Sequence, residues 1–185
     1  MRVITGTAKG IRLKTQEGES TRPTVARVKE AIFSAIQFEI DGRTALDLFA
    51  GSGQLGIEAL SRGAVRCDFV DCEPAAVRII RENLTKCRLN ERASVHQKLW
   101  ESFLASSSTG YSLIFLDPPY RKGLCLAALE ALCEGHLARH AIVVCETEPE
   151  AELPDAVGPL ALNRNAKYGN SRVFIYRTAQ QGELE

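Results

Sequence analysis

Strand-like and helix-like segments alternate along most of the chain, and this alternation constrains the fold more than any other feature. Apolar runs such as TALDLFA (44–50) are typical of buried strands, and helically spaced apolar residues follow them. This order indicates a largely parallel sheet with helices on both faces. The predicted strands are 44–50, 65–71, 93–97, 111–117, 140–146, 159–164 and 171–177; the predicted helices are 54–62, 75–88, 99–105 and 123–135. The sequence therefore predicts a Rossmann-like α/β fold with seven mostly parallel strands.

The first 40 residues precede this alternation and are predicted to extend it. RVIT (2–5) and GIRLKT (10–15) flank a glycine-containing turn and predict a β-hairpin. Since 185 residues are long for one domain and short for two, we expect a single domain, 1–185. In it, a hairpin and helix at 1–40 precede a core at 41–177.

A helix is predicted after this hairpin. Apolar residues at Val25, Val28 and Ile32 share one helical face, and Thr24, after Pro23, is the candidate N-cap.

The composition is that of an ordinary globular protein, with 45% hydrophobic and 25% charged residues. No apolar run is long enough to span a membrane, and the N-terminus lacks the apolar segment of a secretion signal, so we expect a cytoplasmic protein. The six cysteines include no Cys-x-x-Cys pair and are expected to be small buried hydrophobes. HLARH (136–140) lacks the glutamate of a zinc protease, so no metal site is predicted.

Basic residues are concentrated near both ends, although the net charge is zero. Residues 1–30 contain seven Lys/Arg and three Glu, and residues 160–177 contain four Lys/Arg and no acid, so each segment has a net charge of +4. Either segment alone is most simply explained as solvated surface. Two such segments on one face would suit a polyanion such as nucleic acid.

A glycine-rich turn, DLFAGSGQLG (47–56), follows the first strand of the alternation and opens a helix. Glycines at this position allow a tight turn and let a ligand approach the backbone, and the helix offers free N–H groups. Asp71, at the tip of the next predicted strand, can accept both hydroxyls of a ribose. The pattern predicts a nucleotide-like ligand and also fits the dinucleotide fingerprint.

Asp47 helps to identify that ligand. It lies ahead of the glycines, where it can hold an ammonium group and would repel a pyrophosphate. S-adenosylmethionine (SAM) carries an ammonium and a ribose but no phosphate, and the Lys and Ser/Thr of a P-loop are absent. The sequence therefore favours SAM as cofactor, with S-adenosylhomocysteine (SAH) as product. An NAD-binding module is the distant alternative.

The stretch IFLDPPY (114–120) ends a predicted core strand with an acid, two prolines and a tyrosine. The Asp117 carboxylate and the Pro118 carbonyl can each accept one N–H of an amine on a base, and the prolines fix both acceptors. Tyr120 can stack on a base removed from its helix. A ligand at the ends of parallel strands would face this elbow. The sequence therefore predicts methyl transfer to an exocyclic amine, with Asp117, Pro118, Pro119 and Tyr120 as the catalytic residues.

The glycine turn and the elbow together resemble the class I SAM-dependent methyltransferases of the [DN]PPY group. With RVITGTAKGIRLKT, TRPTVARVKEAIFSAI and KYGNSRVFIYR, the whole chain resembles the RsmD family. That resemblance implies methylation of the N2 amine of a guanine in 16S ribosomal RNA of the small subunit, with ribosomal proteins as further partners and no membrane. We expect a monomer. The implied cofactor residues are Asp47, Ala50, Gly51, Ser52, Gly53, Asp71, Cys72 and Leu99, and the implied substrate residues are Arg22, Pro23, Thr24, Lys167 and Tyr168.

One segment departs from the family pattern. Residues 98–100 contain no Asp or Asn for the adenine ring, so Leu99 or Trp100 is expected to contact it instead. The alternative is an amine methyltransferase of the same group that acts on adenine N6 in nucleic acid or on an amide nitrogen in protein.

Overall fold

The computed structural model describes residues 1–15, 23–119 and 123–178, with side chains of the first helix described from Ala26 onward. The strands are β1 (Thr44–Asp47), β2 (Arg66–Asp71), β3 (Ala93–Gln97), β4 (Tyr111–Leu116), β5 (Leu137–Thr147), β6 (Ala156–Val157), β7 (Leu160–Tyr168) and β8 (Ser171–Thr178). The helices are α1 (Pro23–Ala35), α2 (Gln54–Ser61), α3 (Pro74–Cys87), α4 (Trp100–Ser106) and α5 (Leu124–Leu132), with a 3-10 turn at Asn90–Arg92.

The strands form one sheet in the order β3-β2-β1-β4-β5-β8-β7-β6. Strands β1 to β5 pair with one another in parallel, and the pairs β5–β8, β8–β7 and β7–β6 are antiparallel. The predicted alternation is confirmed, but the strand count is wrong: the described residues contain eight strands. The extra strand, β6, has only two residues, too few for a period-two pattern to reveal. Strand order reverses between β1 and β4, which marks the usual ligand crevice of an open α/β sheet.

Two apolar clusters cover the sheet, one on each face. The first includes Phe33 of α1, Ile57 of α2 and Ile80 of α3; the second includes Phe103 of α4 and Leu129 of α5. Apolar residues recur at helical spacing in these helices, which is why the sequence pattern predicted helices on both faces of the sheet. In the part of the chain that is described, no helix is long and apolar enough to cross a membrane.

The N-terminal segment forms a loose hairpin in place of the predicted two-stranded one. Only Arg2 and Arg12 form a β-bridge, supported by the Val3 N–H donating to the Ile11 carbonyl at 3.0 Å. The turn packs against α2 instead. A Cβ on Gly6 would lie 1.7 Å from the Ser61 carbonyl oxygen, so only glycine fits there.

A buried ionic cluster anchors this segment. The Lys29 and Glu58 side chains are 2% and 0% exposed and 2.9 Å apart, and Arg62 Nε donates to Glu58 at 2.8 Å. Glu58 also accepts the backbone N–H groups of Ile4 and Thr5 at 2.8 and 3.0 Å. Burial acts to raise the pKa of Glu58, but Lys29 and the Ile4 N–H outweigh it and lower that pKa. Removing one partner would leave an uncompensated buried charge, which typically costs about 3–5 kcal/mol.

Candidate active site

The glycine turn and the elbow leave the sheet side by side. Strands β1 and β4 pair in parallel with Asp47 opposite Phe115, and the Leu48 N–H donates to the Phe115 carbonyl at 3.1 Å. The turn begins directly after Asp47, and Asp117 lies two residues after Phe115. Both predicted motifs therefore stand at the carboxyl edge of the sheet, where strand order reverses.

Backbone contacts shape the glycine turn. Gly51 and Gly53 have φ angles of 52° and 76°, in the left-handed region that favours glycine. Ala50 donates its N–H to the Val70 carbonyl at 3.0 Å, which fixes the turn to β2. Gly56 has a different role, because a Cβ there would lie 2.4 Å from the Phe69 ring. Small residues here let α2 pack closely on the sheet and leave the start of the helix at the crevice.

Asp47 is 1% exposed, and its Oδ2 accepts the Gly56 N–H at 2.9 Å. Burial raises the pKa of Asp47 to about 7, against the lowering effect of the Gly56 N–H. A carboxylate that has lost its water in this way gains most from a cationic partner. Its placement under the turn suits the predicted role toward an ammonium, which stays a prediction.

Asp71 closes the other side of the turn. Its Oδ2 accepts the Gly51 N–H at 2.8 Å, and its Oδ1 accepts the Glu73 N–H at 2.9 Å. A carboxylate has about four lone-pair sites, so each oxygen keeps one for a ribose hydroxyl. The side chain is half-buried and held in place before any ligand arrives.

The predicted adenine contacts lie beside Asp71. The Lys98 N–H donates to the Asp71 carbonyl at 3.2 Å, which brings the next residue, Leu99, to this corner with 59% of its surface exposed. Trp100 packs against Phe49, with ring centroids 6.1 Å apart. Cys72 is exposed as well, so the expectation that all six cysteines are buried is wrong. Exposed apolar surface at this corner is available to an adenine ring.

The elbow continues β4 beyond the sheet. Asp117 is half-buried and already engaged in contacts, Pro118 is buried, and Pro119 is exposed. Neither proline has an N–H to donate to a neighbouring strand, so the hydrogen-bonded pairing of β4 ends before them. The predicted stacking residue Tyr120 lies outside the described residues.

The predicted substrate residues come from two other regions. Lys167 and Tyr168 end β7, and Lys167 pairs with Arg172, which in turn faces Thr147 at the carboxyl end of β5. They therefore reach the same edge as the elbow. Lys167 is exposed, and Tyr168 packs partly against the first apolar cluster.

The remaining predicted substrate residues are Arg22, Pro23 and Thr24. Arg22 and the side chains of Pro23 and Thr24 lie outside the described residues. The helix begins at Pro23, so the prediction of Thr24 as N-cap is wrong. Proline already has the φ angle of a helix and lacks the N–H that would go unpaired, which suits the first helical position.

The basic ends offer less free charge than the sequence suggests. Lys29 is buried against Glu58, and Lys14 pairs with Glu82 at 2.8 Å. In the C-terminal segment, Arg177 forms two hydrogen bonds of 2.6 and 2.8 Å to Glu39. Counting charges along the sequence therefore overestimates what each end can present to a polyanion.

Sequence reasoning missed Asn83, which joins the N-terminal segment to the glycine turn. Its Nδ2 donates to the carbonyls of Lys14 and Ser52, both at 2.9 Å, and its Oδ1 accepts the Lys14 N–H at 2.8 Å. Asn83 lies within α3 and carries no sequence signal, since both partners are distant backbone groups. It holds the Ser52 carbonyl, and with it the middle of the turn. Across the ranges that the structure covers, no cluster of three or more His, Cys, Asp or Glu could hold a metal ion.

Comparison with known proteins places these features in a family. Residues 1–177 match the family described as Conserved hypothetical protein 95. The chain is 45% identical over 181 residues to YlbH of Bacillus subtilis, named as a candidate rRNA methyltransferase, covering 96% of this chain and 98% of that one. It is 33% identical over 186 residues to ribosomal RNA small subunit methyltransferase D of Escherichia coli, covering 100% and 93%.

A solved structure shows the same architecture. The Escherichia coli protein yhhF, named as a candidate methyltransferase, superposes with a TM-score of 0.87 at 32% identity, covering 98% of this chain and 99% of that one. The fold prediction is confirmed at the level of class: the chain has the class I methyltransferase fold.

Proposed function

The chain belongs to the conserved hypothetical protein 95 family, and from this premise we propose that it is a SAM-dependent ribosomal RNA methyltransferase. Its target is the N2 amine of a guanine in 16S rRNA of the small subunit. The observation that carries the proposal is the adjacency of the glycine turn and the Asp117 elbow at the switch between β1 and β4. A methyl donor over the turn and an amine at the elbow would meet at this edge.

The cofactor half of the proposal rests on the charges around the turn. Asp47 and Asp71 are both acceptors, and the helix that follows presents free N–H groups to a carboxylate. SAM supplies an ammonium, two ribose hydroxyls and a carboxylate, and it has no phosphate for these acids to repel. The backbone of the site is formed by the turn residues Ala50, Gly51, Ser52 and Gly53. The adenine is contacted by Cys72 and Leu99. No metal is required for this transfer, in which the amine lone pair attacks the sulfonium methyl.

Catalysis at the elbow is a matter of orientation. The lone pair of an exocyclic amine on guanine is delocalised into the ring, which weakens it as a nucleophile. Asp117 and the Pro118 carbonyl each accept one N–H, and this turns the lone pair toward the methyl group. Pro119 stiffens the acceptors, and Tyr120 stacks on the base. The methylated amine loses one proton after the transfer.

The substrate half of the proposal rests on the relatives and on charge. The Escherichia coli relative is named for the small ribosomal subunit, which points to 16S rRNA and to a cytoplasmic location. Lys167 and Tyr168, before the β7–β8 turn, contact the RNA at the edge where the elbow lies, and Arg22, Pro23 and Thr24 are further RNA-binding residues. The chain works as a monomer of one domain, 1–185. Residues 1–40 extend a catalytic core at 41–177, and ribosomal proteins contribute to the docking surface.

Transfer of a labelled methyl group tests the proposal. Purified protein and labelled SAM are incubated with small subunits that lack the modification, with naked 16S rRNA and with methylated subunits as comparisons. We expect label in N2-methylguanosine at one position of the unmodified rRNA. Label in N6-methyladenosine, in protein or in no product would contradict it. Activity on particles without activity on naked RNA remains consistent, because a protein without net charge binds free RNA weakly.

A further inference from the structure

Helix α3 carries an exposed basic stripe that neither basic end of the sequence includes. An open groove of about 720 Å³ runs along this helix, and Pro74, Arg78, Arg81, Lys86 and Gln97 are among the residues that line it. Positions 74, 78, 81 and 85–86 recur every three or four residues, so they share one face of the helix. Both arginines are exposed.

The groove starts beside the candidate cofactor site. Gln97 is paired with Asp71 across β2 and β3, and Pro74 begins the helix three residues after Asp71. From there the groove follows α3 to Lys86. Twelve residues of helix rise about 18 Å, which is long enough to follow several phosphates of an extended strand.

The N-terminal segment continues this basic surface. Lys86 Nζ donates to the Arg12 carbonyl at 2.6 Å, and Lys14 Nζ pairs with Glu82 at 2.8 Å. Glu82 is therefore neutralised by its partner. Among the described residues, neither Arg78 nor Arg81 forms an ion pair, so both guanidinium groups remain available.

We propose that this groove, which is lined by Pro74, Arg78, Arg81, Lys86 and Gln97 with the paired Glu82 and is bordered by Arg12, binds the phosphate backbone of the RNA that flanks the target nucleotide. The inference rests on the proposed function and adds a contact surface to it. Guanidinium groups spaced along an open groove suit a repeated anion, since each can take two oxygens of one phosphate. A small ligand would need an enclosed pocket with buried polar groups. Contacts of this kind fix the register of the RNA without reading its sequence.

Single charge reversals test the groove. Arg78→Glu and Arg81→Glu are compared with wild type for binding to labelled, unmodified small subunits over a series of salt concentrations. Each reversal should weaken RNA binding about tenfold at low salt, and each should flatten the log–log salt dependence by about one unit per lost phosphate contact. SAH affinity by calorimetry should remain that of wild type. Methyl transfer to unmodified subunits should show a raised KM with an unchanged kcat.

Arg139→Glu is the matched control, because Arg139 is exposed near the amino end of β5, which lies three strands from β2 in the sheet and away from α3. It changes the net charge equally and should leave the salt dependence at the wild-type slope. The groove proposal is overturned if the two α3 reversals show the same RNA affinity and salt dependence as Arg139→Glu. It is also overturned if they weaken SAH binding as much as they weaken RNA binding. The proposed function fails in a different way, when wild-type protein itself transfers no methyl group to rRNA.

Discussion

The carboxyl edge of the sheet has two halves that are built differently. The cofactor half, which we propose binds SAM, consists of residues 47–56 with Asp71 and Cys72 and comes from one continuous βαβ stretch. Its two acids already accept three backbone N–H groups at 2.8 to 2.9 Å. The substrate half, which we propose contacts the RNA, consists of the elbow at 117–119 and the β7–β8 turn, which are far apart in sequence and are connected through the paired strands β4, β5, β8 and β7. The first half is held by local hydrogen bonds, and the second is held by the sheet.

This difference predicts two classes of variant. Changes in the cofactor half should alter cofactor affinity, because its acids would contact the bound ligand directly. Changes in the substrate half should alter turnover or RNA binding and leave cofactor affinity unchanged, because the sheet holds these groups independently of the glycine turn.

The largest effect is expected at the elbow. Asp117→Ala leaves the amine held by the Pro118 carbonyl alone, and the lost charge-assisted hydrogen bond is worth about 1.5–3 kcal/mol, roughly ten- to a hundred-and-fifty-fold in rate. Misplacement of the amine relative to the methyl group adds to this loss, which makes the effect the largest of the series. Asp117→Asn keeps an acceptor oxygen and should retain measurable turnover. Single-turnover rates on unmodified subunits at saturating SAM provide the measurement. A rate equal to wild type in the alanine variant would make the elbow purely structural.

Asp71→Ala should have the next largest effect, on binding. It removes the acceptors for the ribose and frees the N–H groups of Gly51 and Glu73, so SAH affinity should fall by about 1.5–3 kcal/mol. Calorimetry measures the change, and Asp71→Asn, which keeps one acceptor oxygen, should lose less. Wild-type affinity in Asp71→Ala would exclude this residue from the cofactor site.

A pH dependence of about tenfold is expected from Asp47. Its pKa is raised to about 7 by burial, and only the ionised form attracts the ammonium of SAH. Affinity should therefore be near its maximum at about pH 8, where most of Asp47 is ionised, and should fall as pH decreases, by about tenfold between pH 8 and pH 6. Asp47→Asn should bind more weakly at pH 8 and show a flat profile. An unchanged profile in that variant would assign the titration to another group.

The smallest effect is expected at the β7–β8 turn. Lys167 is exposed, and its reversal to Glu should flatten the salt dependence of RNA affinity by about one unit and leave SAH binding unchanged. Arg177→Met is the paired comparison, because the Arg177 guanidinium is already bound by Glu39. It should keep the wild-type slope. Equal slopes in both variants would remove Lys167 from the RNA surface.

The local structure of the cofactor half could be predicted from the sequence because its pattern is local, while its role toward SAM stays a prediction. A strand, three glycines, a helix and a second strand with a terminal acid stand in order over 28 residues, 44–71, and the backbone geometry requires each of them at its position. The elbow could be predicted too, since consecutive prolines end a strand. Both are short stretches in which neighbouring residues determine the geometry.

What the sequence could not reveal depends on contacts between distant segments. Lys29 looks like a surface cation, but it is buried against Glu58, because the N-terminal segment covers both. Asn83 has no pattern around it, although it holds Ser52 and Lys14 together. The extra strand, β6, has only two residues, which is too short to show the alternation of apolar and polar residues that identifies a strand. Whether a charged side chain is free to contact a ligand depends on its ion pairs in the folded protein. A count of charges along the sequence cannot include those pairs.

The central claim is that the cofactor half determines SAM affinity and the substrate half determines the rate of methyl transfer. It is tested most directly by measuring both quantities in one variant of each half. SAH affinity and single-turnover methyl transfer at saturating SAM are measured for Asp71→Ala and for Asp117→Ala. We expect Asp71→Ala to lose affinity and to recover most of its transfer rate once SAM is saturating. We expect Asp117→Ala to bind SAH like wild type and to transfer slowly at any SAM concentration. The division would be contradicted if Asp117→Ala lost SAH affinity to the same degree as Asp71→Ala.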